Sequence, residues 1–321
     1  MSFLQTPFIT LTQRQRSLQL TRRRLPWNLI SCARYSSTSN SETEATTPQE
    51  LDFLEQIPEN GNKTNGALVI LHGLFGSKRN WTSLSKAFSR DLNIPVYALD
   101  LRNHGTSPHA LPMTYAAMAS DVLNFIKQKK LERISLLGHS MGGKLAMTVA
   151  LDPSLPPSGV LQNLIIADIA PVRAKLSNEF VLYTEAMKKI ESMKLRTRKE
   201  ATRVLEEYEK DTNIVLFLLT NILMPNETGE DYIRFRIPLG TLSDALSELG
   251  SFPYLPGERK WEGKTLFVKG EKSKFINHHY HSAMNDFFPN MNMEPIDTGH
   301  WVHAERPGEF KTLVENFIRA G

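Results

Sequence analysis

Cysteine is all but missing from this 321-residue chain. The single one, Cys32, lies near the N-terminus, so the body has no disulfide framework, no thiol nucleophile and no zinc–thiolate site. Acidic residues are missing from the first 35 positions, which hold six arginines and no lysine; the first acid is Glu42. Setting those six arginines aside leaves 32 bases against 34 acids, so the formal charge of +4 belongs to the leader and not to the body. A nearly neutral body carries no electrostatic footprint for nucleic acid. Long apolar runs are missing as well. The stretch from Ile214 to Leu219, even extended to Met224, falls far short of the roughly 20 residues that span a bilayer. What the chain does have is a hydrophobic fraction of 40%, which at this length suits one large α/β domain.

The acid-free stretch also contains Ser, Thr and scattered Leu, Ile and Phe. That composition predicts a mitochondrial transit peptide over residues 1–35, a cationic amphipathic segment drawn by an inward-negative membrane potential. Ala33-Arg34-Tyr35-Ser36 places the expected cut after Tyr35. Residues 36–50, rich in Ser, Thr and Glu, are expected to be a disordered polar linker, and residues 51–321 the folded domain.

Within that domain, residues 51–58 alternate weakly as an opening strand. Apolar runs at 67–71, 95–101, 134–137, 161–167, 265–269 and 291–296 read as further strands. Helical spacing marks 80–92, 114–129, 144–151, 278–287 and 307–320. The alternation predicts an α/β fold with a mostly parallel, doubly wound sheet. Residues 175–249 show no strand-like alternation and four helical stretches, at 179–193, 198–211, 213–224 and 240–249. They are expected to form a helical lid, about 173–255, inserted after the strand ending at Asp168. Ligands in such sheets gather at the carboxyl ends of strands. His72-Gly73, Asp100, Ser140, Asp168 and His300 all fall at those ends.

Gly138-His139-Ser140-Met141-Gly142-Gly143 lies between a predicted strand and a predicted helix. A G-x-S-x-G turn in that setting is the nucleophile elbow of the α/β-hydrolase fold. Glycines at 138 and 142 remove side chains that would collide with neighbouring backbone. A serine hydroxyl needs a base, the base needs an orienting acid, and the oxyanion needs donors. In this fold they follow in the order Ser, acid, His. His300 follows the last strand and is the base candidate, with His303 its nearest rival. His72 and His139 flank the site and are expected to hydrogen-bond loops. The acid has two stations: Asp168, which is preferred, and Glu271 after the penultimate strand, where Lys274 occupies a position often held by a carboxylate. Asp100 is expected to tie down its loop beside Arg102. The backbone N–H groups of Leu74 and Met141 are the expected oxyanion donors. Lys188, Lys189, Lys194, Arg196, Arg198 and Lys199 form a basic run in the lid. It reads first as a solvated helix face and second as a contact for the phosphates of an acyl-coenzyme A.

His72-Gly73-Leu74-Phe75-Gly76-Ser77, Asn80-Trp81, Asp100 to Gly105, Gly138 to Gly143, Asp168-Ile169-Ala170-Pro171 and Gly299 to His303 together resemble the mitochondrial abhydrolase group. That group includes the fungal ethanol acetyltransferases and animal mitochondrial abhydrolases. The resemblance covers roughly residues 51–320. It implies Ser140 as nucleophile, Asp168 as orienting acid and His300 as general base. It further implies alcohol O-acetyltransferase activity with acetyl-CoA as co-substrate, ester and thioester hydrolysis beside it, and no bound cofactor or metal. The expected partners are small molecules: an acyl-CoA or acyl ester, and a short-chain alcohol or water. A tenfold preference between alcohol and water needs only about 1.4 kcal/mol of barrier difference, and no motif marks it. A mitochondrial carboxylesterase or thioesterase is therefore the alternative. A non-catalytic mitochondrial binding protein is the reading from another class, and failure of a fluorophosphonate to label Ser140 would favour it.

Overall fold

The computed structural model of the chain describes residues 47–62, 65–156 and 159–320. The expected transit peptide and residues 36–46 of the expected linker lie outside them. Residues 47–50 carry no regular structure, but they are tethered: the Gln49 N–H donates to Asp121 Oδ1 at 2.6 Å.

Among the described residues the chain forms strands β1 (Phe53–Gln56), β2 (Gly66–Leu71), β3 (Val96–Leu99), β4 (Arg133–His139), β5 (Leu161–Ala167), β6 (Ile222–Leu223), β7 (Arg234–Phe235), β8 (Lys264–Gly270) and β9 (Met291–Ile296). Seven of them make the central sheet in the order β1-β3-β2-β4-β5-β8-β9. All neighbours in it are parallel except β1, which pairs antiparallel with β3 at one edge. The near-continuous apolar runs of β2, β4 and β5 follow from this position, because a central parallel strand is covered on both faces. Alternate residues go to opposite sides. Val69, Leu71, Leu136 and Leu164 join the core beneath α2 (Tyr115–Gln128) and α3 (Met141–Ala150). Leu68, Ile70, Leu137 and Ile165 pack with Phe88 of α1 (Thr82–Leu92) and Phe310 of the C-terminal helix (Pro307–Arg319).

The segment between β5 and β8 carries α4 (Asn178–Ser192), α5 (Arg198–Tyr208), α6 (Thr212–Leu219), α7 (Pro225–Thr228) and α8 (Leu239–Gly250). Local chemistry sets its boundaries. Thr197 caps α5 by accepting the Glu200 N–H, while Glu200 Oε2 accepts the Thr197 N–H at 2.9 Å, a reciprocal capping box. One expectation is corrected here: the insertion is not purely helical. β6 and β7 pair as an antiparallel ribbon of two residues each, too short to show alternation in the sequence.

Asp100 ties down its loop, as expected. Asp100 Oδ1 accepts the Lys78 N–H at 2.7 Å, and Oδ2 accepts the Thr106 N–H and the Lys78 ammonium, each at 2.8 Å, so it joins the loops after β2 and β3. Arg102 turns instead to Asp121 of α2 in a fully buried fork, Nε to Oδ2 at 2.6 Å and a terminal nitrogen to Oδ1 at 2.7 Å. The planar guanidinium matches both carboxylate oxygens at once, which a lysine could not do.

Candidate active site

The carboxyl ends of β4, β5 and β9 converge on one point. β4 ends in the turn to α3, and Ser140 holds φ +53° and ψ −117°, a strained conformation for a residue with a side chain. The turn survives because its flanks are bare. A Cβ on Gly138 would fall inside the Gly142 carbonyl, and one on Gly142 would stand 2.6 Å from the His72 carbonyl oxygen and closer still to that of Leu71.

His300, in the loop after β9, reaches Ser140 and Asp168 together. Its Nε2 stands 2.9 Å from Ser140 Oγ and its Nδ1 2.7 Å from Asp168 Oδ2. A carboxylate only accepts, so Nδ1 carries the proton and Nε2 is free to accept from the hydroxyl. All three side chains are buried. Phe275 stacks on the imidazole with ring centroids 4.0 Å apart, which fixes the ring plane. Asp168 has its own supports: Oδ1 accepts the Gly270 N–H at 2.9 Å, and Oδ2 accepts the Ser273 hydroxyl. Glu271 is exposed and has no hydrogen bond to His300. Chemically, this is a hydroxyl whose proton can pass to a ring held in one tautomer by a carboxylate. The N–H groups of Leu74 and Met141 hydrogen-bond no described residue, Leu74 lines the same cavity as Ser140, and Met141 opens α3 directly after it. These are the properties an oxyanion site needs.

The other sequence candidates are loop supports. His72 donates from Nδ1 to the Gly73 carbonyl at 2.8 Å and accepts the Leu101 N–H at Nε2, 3.0 Å. His139 donates from Nε2 to the His300 carbonyl at 2.9 Å. His303 stacks flat on Trp81 with centroids 4.3 Å apart and does not reach Ser140 by hydrogen bond. Three supporting residues do not stand out in the sequence as site residues. Ser273 sits inside the Gly270–Lys274 segment, where a carboxylate is the chemistry to look for. His104 accepts the Phe75 N–H at 3.2 Å. Lys144 carries the most visible signal, as the one charge in an otherwise uncharged helix. Its buried ammonium donates to the carbonyls of Val172 (3.0 Å), Gly250 (2.6 Å) and Ser251 (2.9 Å), tying the helix behind Ser140 to both roots of the lid. Burial draws its pKa down to about 8.

His72, His104, His139 and His303 are all buried, and burial holds each below the ordinary imidazole value, to about 3 for His104 and His303. Below about pH 6.5 the unfolded chain gains protons that the folded protein refuses. Stability therefore falls as pH drops through that value, and for His104 and His303 it keeps falling towards pH 3, by about 1.4 kcal/mol per pH unit for each of those two rings. We expect the urea unfolding midpoint to decline steeply between pH 7 and pH 5. A flat midpoint over that range would mean that the folded protein accepts those protons.

The cavity at Ser140 is small, about 30 Å³, room for one or two waters. Phe75, Phe180, Tyr183, Phe217 and Trp301 contribute to its walls. A wider cleft of about 580 Å³ shares Asn80, Ile214, Phe217, Trp301 and His303 with it. Among the described residues no helix is long and apolar enough to cross a membrane.

Comparison with known proteins places this arrangement. The family described as alpha/beta hydrolase fold matches residues 66–307. The sn-1-specific diacylglycerol lipase ABHD11 of Xenopus laevis is 35% identical over 289 residues, 88% of this chain and 88% of that protein. A probable alcohol acetyltransferase of Saccharomyces cerevisiae is 36% identical over 271 residues, 80% of this chain and 78% of that protein. A solved structure described as a marine microorganism esterase matches with a TM-score of 0.74 and 32% identity, covering 84% of this chain and 99% of that one. The chain belongs to the alpha/beta hydrolase fold family and is an enzyme of its hydrolase and acyltransferase kind.

Proposed function

We propose that this protein transfers acetyl groups from acetyl-CoA to a short-chain alcohol through an acyl-enzyme on Ser140, and hydrolyses esters and thioesters when water is the acceptor. His300 Nε2 takes the serine proton as Oγ attacks the thioester carbonyl. The Leu74 and Met141 N–H groups receive the developing oxyanion, and Asp168 steadies the imidazolium. His300 then returns the proton to the departing thiolate. In the second half the alcohol gives its proton to the same nitrogen and attacks the acyl-enzyme, releasing the ester and restoring the serine.

One observation carries the acyl-group size: Phe75, Phe180, Tyr183, Phe217 and Trp301 narrow the cavity beside Ser140, which favours a small acyl group at the serine over a bulky one. The name of the yeast relative points the same way. The wider adjoining cleft and the name of the frog relative favour a second reading, hydrolysis of a glycerolipid ester whose bulk rests outside the narrow part. The leader composition supports a mitochondrial setting.

The test is to supply acetyl-CoA to residues 36–321 with and without ethanol, following free CoA, ethyl acetate and acetate. Ethyl acetate in excess of acetate, absent with Ser140→Ala, is the expected result. Acetate alone would make the enzyme a thioesterase or esterase. Turnover of a diacylglycerol without any acetyl-CoA turnover would replace the proposal with the lipase reading.

A further inference from the structure

The loop after β2 presents the Leu74 N–H, and three successive peptides in it are pinned. The Gly73 carbonyl accepts from His72 Nδ1 (2.8 Å) and from the Gly76 N–H (2.9 Å). The carbonyl and the N–H of a trans peptide point to opposite sides, so these two bonds also aim the Leu74 N–H. The Phe75 N–H is held by His104 Nε2 at 3.2 Å. The Phe75 carbonyl is held by Asn221 Nδ2 at 2.8 Å.

The last of these pins differs from the others in origin. His72 and His104 lie in loops that close the sheet, whereas Asn221 lies in the lid, between α6 and β6. Its side chain is buried, and its backbone is fixed within the lid by the Arg236 N–H, which donates to its carbonyl at 2.8 Å. The residue it holds is strained: Phe75 has φ +63° and is not glycine, a conformation that persists only where the surroundings enforce it. Take the Asn221 bond away and the Phe75–Gly76 peptide can rotate towards a relaxed φ, withdrawing the Gly76 N–H from the Gly73 carbonyl and loosening the peptide that presents the Leu74 N–H.

We propose that Asn221 is a positioning residue that couples seating of the lid to assembly of the oxyanion site, so that the Leu74 donor is aimed only while the lid is docked. The proposal rests on the acyl-enzyme reading above. Its consequence is that an open lid leaves Ser140 accessible but poorly supported, and the acyl-enzyme does not form in a site open to bulk water.

The test compares wild type, Asn221→Leu and Asn221→Asp on p-nitrophenyl acetate, with thermal unfolding to establish that each is folded. Leucine keeps the volume and loses the donor. Aspartate, when ionised, sets an acceptor against an acceptor. We expect KM to change little and kcat to fall about 10- to 100-fold in both, somewhat less than the ~10²–10³ of losing an oxyanion donor outright. Affinity for a trifluoromethyl ketone, whose adduct with the serine carries an oxyanion, should fall by the same factor as kcat/KM. Lowering the pH should restore Asn221→Asp relative to wild type at the same pH, because a protonated carboxyl can donate to the Phe75 carbonyl again, and it should not restore Asn221→Leu. An unchanged kcat, or a raised KM with kcat intact, would overturn the coupling and leave Asn221 a lid-packing residue. A wild-type protein that neither turns over nor is labelled by a fluorophosphonate would overturn the acyl-enzyme reading and this proposal with it.

Discussion

Asp168→Asn is expected to lower kcat by about four orders of magnitude, while Glu271→Gln should leave it within about twofold. The size of the first effect follows from what the carboxylate does. As an acceptor only, it fixes the His300 proton on Nδ1 and leaves Nε2 to accept from Ser140, and it faces the positive charge when the ring takes the serine proton. An amide can present its N–H₂ to the ring, select the wrong tautomer, and offer no charge; amidation of the corresponding acid costs about 10⁴ in serine proteases. The substituted amide would also inherit two donors, the Gly270 N–H and the Ser273 hydroxyl, that now point at carboxylate oxygens. Its single oxygen cannot stand in both places. Glu271 has no part in this chain of bonds and its side chain is exposed. The measurement is steady-state turnover of p-nitrophenyl acetate by both variants, with thermal unfolding beside it. Loss of activity in Glu271→Gln with Asp168→Asn active would move the acid to the loop after β8.

Gly142→Ala is expected to destabilise the protein by at least about 3 kcal/mol, whereas Gly240→Ala should be neutral or raise stability by up to about 1 kcal/mol. Both glycines lie in the first turns of helices, so helix propensity favours alanine at each. They differ in surroundings. A Cβ at 240 meets nothing within 4 Å. A Cβ at 142 meets the carbonyls of Leu71 and His72, which are backbone at the end of a central strand and cannot rotate away. Relief requires α3 to move off β2, opening the core that Leu145 and Leu136 share, and overpacking of that kind exceeds the usual cost of about 1–3 kcal/mol for an added methyl. Urea midpoints of the two variants against wild type decide it. A midpoint for Gly142→Ala equal to that of wild type would mean that the elbow backbone is more pliable than its packing indicates.

Which parts of this are legible in the sequence has a physical reason. The strands and the elbow are, because a buried parallel strand is mainly apolar and a turn that brings two backbones together must be glycine; residues 67–71, 164–167 and 138–143 announce both. His300 and Asp168 can be placed beside Ser140 because chain order puts each at the carboxyl end of a strand. Their supports cannot. Ser273, His104 and Asn221 are ordinary polar residues whose meaning lies in one partner far along the chain: Asp168 for Ser273, Phe75 for both of the others. No local period encodes such a contact. The partner of Arg102 is hidden for the same reason, since Asp121 lies 19 residues on, across a turn and a helix. The β6–β7 ribbon escapes because two residues make a single period of alternation, too little for a pattern to register.

The neck of the lid is tied: the Ala174 N–H bonds the Gly250 carbonyl at 3.1 Å, and Lys144 clasps Val172, Gly250 and Ser251. To the sheet, the intervening segment is therefore a closed loop entered and left at a single doorway. The entropy of closing a loop grows only with the logarithm of its length, about 0.6 kcal/mol for each doubling. Lineages could thus lengthen or shorten the exposed turns beyond that doorway at small cost in closure entropy, and so change which molecules enter while the serine, the imidazole and the carboxylate beneath stay where they are.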